Sequence, residues 1–204
     1  LASEVYLWLA FKARKSENRD FNLAISKYEA ALASLQDSSL KAYSLIQLGK
    51  SYRQQYKFNQ AVDPLESAIA VYRKLKPTDS LNEEFSALLF YAGDLYARIG
   101  QYENKAIPLF QEAEKLTTDL NTKNALKGRI ADCFYTAATQ ISGQDELTES
   151  FQSKLKQAQT LYKEIHLDSN SSKFISEQAL YKLAKCHETL GNLKDKSHQN
   201  KDLD

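Results

Sequence analysis

The stretch AYSLIQLGKSYRQQYKFNQAVDPLESAIAVYRKLKP, Ala42 to Pro77, holds two amphipathic helical patterns joined by a short polar turn. In the first, Leu45, Leu48, Gly49 and Tyr52 stand three and four residues apart and share one helical face, with a glycine where another backbone must come close. In the second, Ala61, Leu65, Ala68 and Tyr72 share a face in the same way. Small residues at fixed places on both faces let two helices, and then two hairpins, pack at short range. The stretch therefore reads as one unit of an array in which each unit buries its face on the next.

The pattern recurs on either side. Second helices align Ala24, Ala61, Ala106 and Phe151 at one position and Tyr28, Leu65, Phe110 and Leu155 four residues later. Ala31, Ala68, Ala113 and Ala158 follow at the next buried site, advancing by 37, 45 and 45 residues. First helices align the pairs Leu48-Gly49, Ala92-Gly93, Ile130-Ala131 and Leu183-Ala184, followed three residues on by Tyr52, Tyr96, Phe134 and His187. The period varies while the internal spacing holds.

In chain order, the periodicity predicts helices over residues 1–15, 21–35, 40–55, 58–75, 80–99, 103–117, 124–141, 150–165 and 173–190. Asp37 is the expected N-cap of the third, and Ser80 with Glu83 has the spacing of a capping box for the fifth. Pro77 stops the fourth helix, and Pro64 sits in its first turn or kinks it. Asn104 adds a residue to one turn, and Ser142–Glu149 is an insertion. Gly191 and Asn192 stop the last helix. Residues 1–193 thus form the repeat domain, and 194–204, polar and without the spaced alanines, are expected to be disordered.

Composition narrows the function classes. Among 204 residues, Lys plus Arg (27) nearly balances Asp plus Glu (26), for a net charge of +1, so no whole-molecule field draws in nucleic acid or an anionic membrane. The longest apolar runs, such as SALLFYAG at residues 86–93, fall well short of the roughly 20 residues of a membrane span. The chain begins with Leu and has no Met, which suggests a processed or excised piece. Cys133 and Cys186 are too few and too far apart for a disulfide framework and favour a reducing compartment. They occupy the same place in two units, as small apolar core residues do. His166, His187 and His198 are scattered, and no CxxC, HExxH or glycine-rich phosphate loop occurs, so no metal, cofactor or catalytic site is expected. Adjacent Cys186 and His187 point about 100° apart on a helix and do not make a nucleophile and base.

With a small residue in each first helix and two alanines bracketing a large apolar residue in the second, the chain resembles the tetratricopeptide repeat (TPR) family. Gly49, Ala61, Leu65 and Ala68 match that scheme, as do Gly93, Tyr102, Phe110 and Ala113. The prolines in AVDPLESAI and AIPLFQEAE, with units longer than the family's usual 34 residues, resemble the kinesin-light-chain type of repeat. The resemblance implies an all-α, right-handed α-α superhelix of about four and a half hairpins, built from about nine helices.

In that family the first helices line the concave surface. Carried over, this assigns to partner binding Tyr43, Gln47, Lys50 and Arg53, then Phe90, Tyr91, Asp94 and Arg98, then Arg129, Asp132 and Tyr135, and finally Lys182 and Lys185. Ile46 and Tyr181 lie on the same surface, and Trp8 and Phe11 extend it from the first helix. Lys50, Asp94, Asp132 and Lys185 stand where the family's carboxylate clamp needs Asn, so a chaperone-tail receptor is not implied. The expected activity is a non-enzymatic, cytoplasmic scaffold for a protein or peptide, within a larger chain or complex. A ligand- or peptide-responsive sensor domain of a larger protein is the alternative.

Overall fold

In a computed structural model of the chain, the described residues are 2–15, 18–76, 78–141 and 149–201. They form helices α1 (Ala2–Lys15), α2 (Phe21–Leu32), α3 (Ser38–Gln54), α4 (Phe58–Tyr72), α5 (Asp79–Arg98), α6 (Ile107–Leu116), α7 (Leu120–Ile141), α8 (Glu149–Leu167) and α9 (Lys173–Lys201), with no strand among the described residues. The all-α class and the helix order are those expected. Pro77, Ser16 with Glu17, and residues 142–148 of the insertion lie outside the described residues.

The chain divides into two compact units, Leu1–Gly100 and Gln101–Asp204. In the first, α1 packs on α2, α2 on α3, α3 on α4 and α4 on α5. In the second, α6 packs on α7, α7 on α8, and α9 on both α8 and α7. The aligned rows explain this packing. All twelve second-helix positions, from Ala24, Tyr28 and Ala31 through Phe151, Leu155 and Ala158, are at most 1% exposed. Their burial accounts for most of what holds each hairpin, since short helices gain stability mainly by packing an apolar face.

Helix starts follow local chemistry. The Asp20 and Asp37 carboxylates accept from the backbone N–H groups of Leu23 (2.9 Å) and Leu40 (2.8 Å), and Asp119 accepts from that of Thr122 (2.7 Å). At α5 the expected Ser80 box gives way to Thr78, whose hydroxyl accepts from the Leu81 N–H at 3.2 Å. Thr78 has the extended backbone a cap requires, whereas Ser80 already lies inside the helix. Gly100 ends the first unit with φ +80°, a conformation only glycine adopts without cost.

Several features differ from expectation: α7 begins at Leu120, four residues early, and α2 and α4 end at Leu32 and Tyr72, three residues early. Pro64 lies inside α4, past its first turn, and is buried. The extra residue Asn104 is taken up as a π-helical turn, Tyr102–Ala106, in which the Ala106 N–H reaches the Gln101 carbonyl at 3.0 Å. Pro108, which has no N–H to donate, follows in the first turn of α6. The backbone of α9 runs on through Gly191 to Lys201, because Gly191 does not take the left-handed φ that would end the helix and no proline follows.

Candidate functional site

In the first unit, helical spacing puts Tyr43, Gln47, Lys50 and Arg53 on one strip of α3, and Tyr91, Asp94 and Arg98 on one strip of α5. The two strips meet. The Arg53 guanidinium lies 4.8 Å and the Lys50 ammonium 5.6 Å from the centroid of the Tyr91 ring, a cation–π arrangement across two helices. Arg53 Nη2 donates to Asp94 Oδ2 at 2.9 Å, and Arg98 Nε donates to the same oxygen at 3.0 Å. Asp94 is buried, so both arginines are held by a carboxylate of the chain itself. Gln47 is buried too, whereas Tyr43 is 44% exposed and Lys50, Phe90 and Tyr91 are half-buried.

Arg14, at the end of α1, joins this cluster. Burial, and then the charge of Arg14, lower the Lys50 pKa. Burial raises the Tyr91 pKa against the opposing pull of Arg53 and Arg14. Sequence reasoning missed Arg14. The available signal was its place four residues after the buried Ala10, as Arg53 stands four after Gly49.

In the second unit Asp132 of α7 is the centre. Lys182 Nζ donates to both its oxygens, at 2.6 and 2.9 Å, and the Tyr162 hydroxyl donates to Oδ1 at 2.6 Å. Arg129 lies 3.6 Å from its other oxygen. The Lys182 ammonium also sits 5.8 Å from the Tyr162 ring centroid. Burial, and then the Asp132 charge, hold the Tyr162 hydroxyl protonated far into alkali. The structure thus brings Arg129, Asp132 and Lys182 together. The Tyr135 hydroxyl lies 3.3 Å from Thr189 Oγ1, and Lys185 lies over the exposed Tyr181 ring at 4.9 Å.

This network borders a cavity of about 430 Å³ whose lining includes Gly128, Asp132, Tyr162, Ile165, Ala179 and Lys182. A second cavity of about 470 Å³, lined by Gln111, Ile130, Phe134, Lys156 and Leu161 among others, lies between α6, α7 and α8. Trp8 and Phe11 are exposed on α1, with Lys12 5.3 Å from the Trp8 ring centroid.

Among the described residues no group of three or more His, Cys, Asp and Glu side chains could hold a metal ion. Cys186 is fully buried, and burial with the nearby Asp132 charge pushes its thiol up to about 11, the opposite of an activated nucleophile. Its neighbour His187 is exposed, with Nδ1 3.5 Å from Gln159 Nε2. No described helix is long and apolar enough to cross a membrane.

No family model matches the chain, and no curated protein sequence matches it. Solved structures do. TPR-like repeats of a putative kinesin light chain from Podosopora anserina superpose with a TM-score of 0.54 at 15% identity, covering 98% of each chain. The yeast histone chaperone Hif1, described as a scaffold recruiting protein complexes to core histones, gives 0.54 at 12% identity over 94% of each chain. A tetratricopeptide repeat protein from Parabacteroides merdae gives 0.51 at 15% identity, over 98% of this chain and 75% of that one. The fold is therefore TPR-like, as the aligned rows imply.

Proposed function

We propose that the chain is a non-enzymatic scaffold that binds an acidic segment of another protein on its first-helix faces. The observation that carries this reading is the cluster around Tyr91 in the first unit. Arg53 and Arg98 hold Asp94, Arg53 and Lys50 sit over the Tyr91 ring, and the charge of Arg14 acts on Lys50 and Tyr91, beside the exposed Tyr43. Arginine with tyrosine is the composition of binding hot spots, and an excess of cations selects acidic partners and speeds encounter with them. Because Asp94 already holds Arg53 and Arg98 in place, the guanidiniums are pre-organised and a partner carboxylate orders fewer side chains on arrival. Lys50, whose charged form is disfavoured by burial and then by Arg14, gains from such a group. In the second unit, Lys182, Lys185 and Tyr181 offer a smaller version of the same chemistry. The likeness in fold to the Hif1 scaffold agrees with this reading.

The test is selection of peptides from a random display library on the chain, followed by binding measurements on wild type and Lys50→Glu. The expected winners carry carboxylates beside an aromatic or aliphatic residue, weaken with salt, and lose tenfold or more in affinity to Lys50→Glu, in the range of a hot-spot charge reversal. Winners without acidic residues, or winners indifferent to Lys50→Glu and to Tyr43→Ala, refute it.

A further inference from the structure

Helix α7 breaks a row that the other aligned first helices keep. Three residues before the small residue of each, α3 carries Ile46, α5 carries Phe90 and α9 carries Tyr181, whereas α7 carries Gly128. Glycine inside a helix weakens it, and close approach of a neighbour is what usually requires it. Gly49 meets that requirement, since a Cβ there would lie 2.8 Å from two carbons of Leu65. Gly128 does not, because its Cβ would have Ile165 Cδ1 as nearest neighbour at 3.9 Å, an ordinary contact. The room left by the missing side chain belongs to the cavity of about 430 Å³ that Gly128 lines with residues of α8 and α9. Packing leaves this glycine unexplained, and the cavity gives it a use.

The lining sets what would fit. Around Gly128 stand the apolar Ala125, Ile165, Ile175 and Ala179. The Asp132 carboxylate in the same wall is already met by Lys182 and by the Tyr162 hydroxyl, so that charge is answered within the protein and asks for no ion. Asn124 is different. It is 3% exposed, and its Nδ2 donates to Asp168 Oδ2 at 2.7 Å and to Ser171 Oγ at 2.8 Å. Ser171 Oγ donates onward to the Ile165 carbonyl at 2.8 Å, which fixes the sense of the amide and leaves its oxygen as the atom a ligand can use. Asn124 and Gly128 stand four residues apart and so share a face of α7. A volume of this size lies within the range of about 300–1,000 Å³ found for sites of free small molecules.

We infer that this cavity binds a small uncharged aromatic molecule bearing one hydroxyl or N–H donor. Its ring sits on Gly128 against Ile165 and Ala179, in place of the side chain the row lacks, and its donor reaches the Asn124 carbonyl oxygen. The inference does not depend on what the Tyr91 cluster binds.

The probe is indole, titrated into the full chain and followed by amide chemical shifts. Saturable shifts at Ala125, Gly128, Ile175 and Ala179 are expected, with a dissociation constant of about 1 mM or tighter. Gly128→Ile restores the side chain of the row and should weaken indole about tenfold or more. Gly128→Ala, whose Cβ has room, should weaken it about threefold while the urea midpoint rises, which separates loss of the seat from loss of the fold. Benzofuran, the same shape without the N–H, should bind about three- to tenfold more weakly, because the buried Asn124 oxygen then goes unmet. Absence of saturable binding overturns the inference, as do shifts centred on Ile130, Phe134 and Leu161 of the other cavity, or undiminished binding to both folded Gly128 variants. Benzofuran as tight as indole refutes the assigned donor, and indole-3-acetate tenfold tighter than indole makes the ligand an anion. Displacement of indole by display-selected acidic peptides makes the ring a side chain of the bound segment, which overturns the free ligand and leaves the reading of the Tyr91 cluster standing.

Discussion

Gly49→Ala and Gly128→Ala are one chemical change at two helical positions, and the packing sets opposite signs for them. Each gains about 1 kcal/mol in helix propensity. At Gly128 the nearest heavy atom to the new Cβ is Ile165 Cδ1 at 3.9 Å, an ordinary contact, so most of that gain survives and stabilisation of about 0.5–1 kcal/mol is expected. At Gly49 the Cβ would lie 2.8 Å from two carbons of Leu65 and 3.2 Å from the Ala61 carbonyl oxygen. Leu65 is fully enclosed and cannot swing aside, and the carbonyl belongs to the backbone of α4. Carbon pairs rest at about 3.5–4.0 Å, so α4 must retreat by several tenths of an ångström and loosen the Ala61, Leu65 and Ala68 row. Overpacking of this kind costs about 1–3 kcal/mol, and with backbone as well as an enclosed side chain in the way the upper part of that range applies, which leaves Gly49→Ala destabilised by up to about 2 kcal/mol after the propensity gain. Urea denaturation followed by far-UV circular dichroism reads the difference as midpoints moving in opposite directions. If the two compact units unfold separately, each substitution should move the transition of its own unit. A Gly49→Ala midpoint at or above wild type would refute the close-approach argument.

Both cysteines should stay reduced and resist a thiol reagent until the chain unfolds; mass spectrometry and reagent kinetics check this. The Cys186 thiol is raised to about 11 by burial and Asp132, and the Tyr52 hydroxyl to about 12 by burial and Glu29. Both groups hold their protons more tightly when folded, so their contribution is complete below about pH 8.5 and lost as pH rises toward 11 and 12, which melting temperature against pH will show. Asp132→Ala leaves the buried Tyr162 hydroxyl without its carboxylate acceptor and should cost about 2–3 kcal/mol, while Tyr162→Phe in the same chain should recover part of that loss in a double-mutant cycle. Phe134→Tyr with Gln111→Glu should install the hydroxyl–carboxylate bond present in earlier repeats, with a favourable coupling of about 1 kcal/mol absent from either single change.

The core was legible because its signal is a contact rule. A small residue in a first helix and a small–large–small series in a second are the two halves of one interface, and Gly49 against Leu65 and Ala61 is that interface at atomic distance. Helix starts were less legible where several polar residues compete. TDS at residues 78–80 offers three caps, and the one that wins depends on where the backbone first turns helical, which local spacing does not encode. Asn104 was visible as one residue too many. Its accommodation as a π-helical turn follows from contacts at a distance, because the turn leaves Tyr102 within 3.1 Å of Gln140 Nε2 and Glu103 within 2.7 Å of Lys154 Nζ.

Charge pairing across helices was the part the sequence hid, and the tyrosine row shows why. Tyr52, Tyr96, Phe134 and His187 align as packing residues, yet the Tyr52 hydroxyl donates to Glu29 at 2.6 Å and the Tyr96 hydroxyl donates to Glu66. Each glutamate directly follows the large residue of the preceding second helix, Tyr28 or Leu65, so the bond latches one hairpin to the next. In the third repeat both partners have changed, to Phe134 and Gln111, and there the space between α6, α7 and α8 opens into the cavity of about 470 Å³. Aromatic volume alone satisfies the periodic pattern, so the pattern cannot tell a latched repeat from an open one. The same holds for the candidate site. Spacing put Asp94 and Arg98 on one strip of α5 and Arg53 on a strip of α3, but which cation a carboxylate holds depends on the offset between neighbouring helices. That offset is set by the buried small residues, so the polar face is a consequence of the core and becomes readable only after the core is packed.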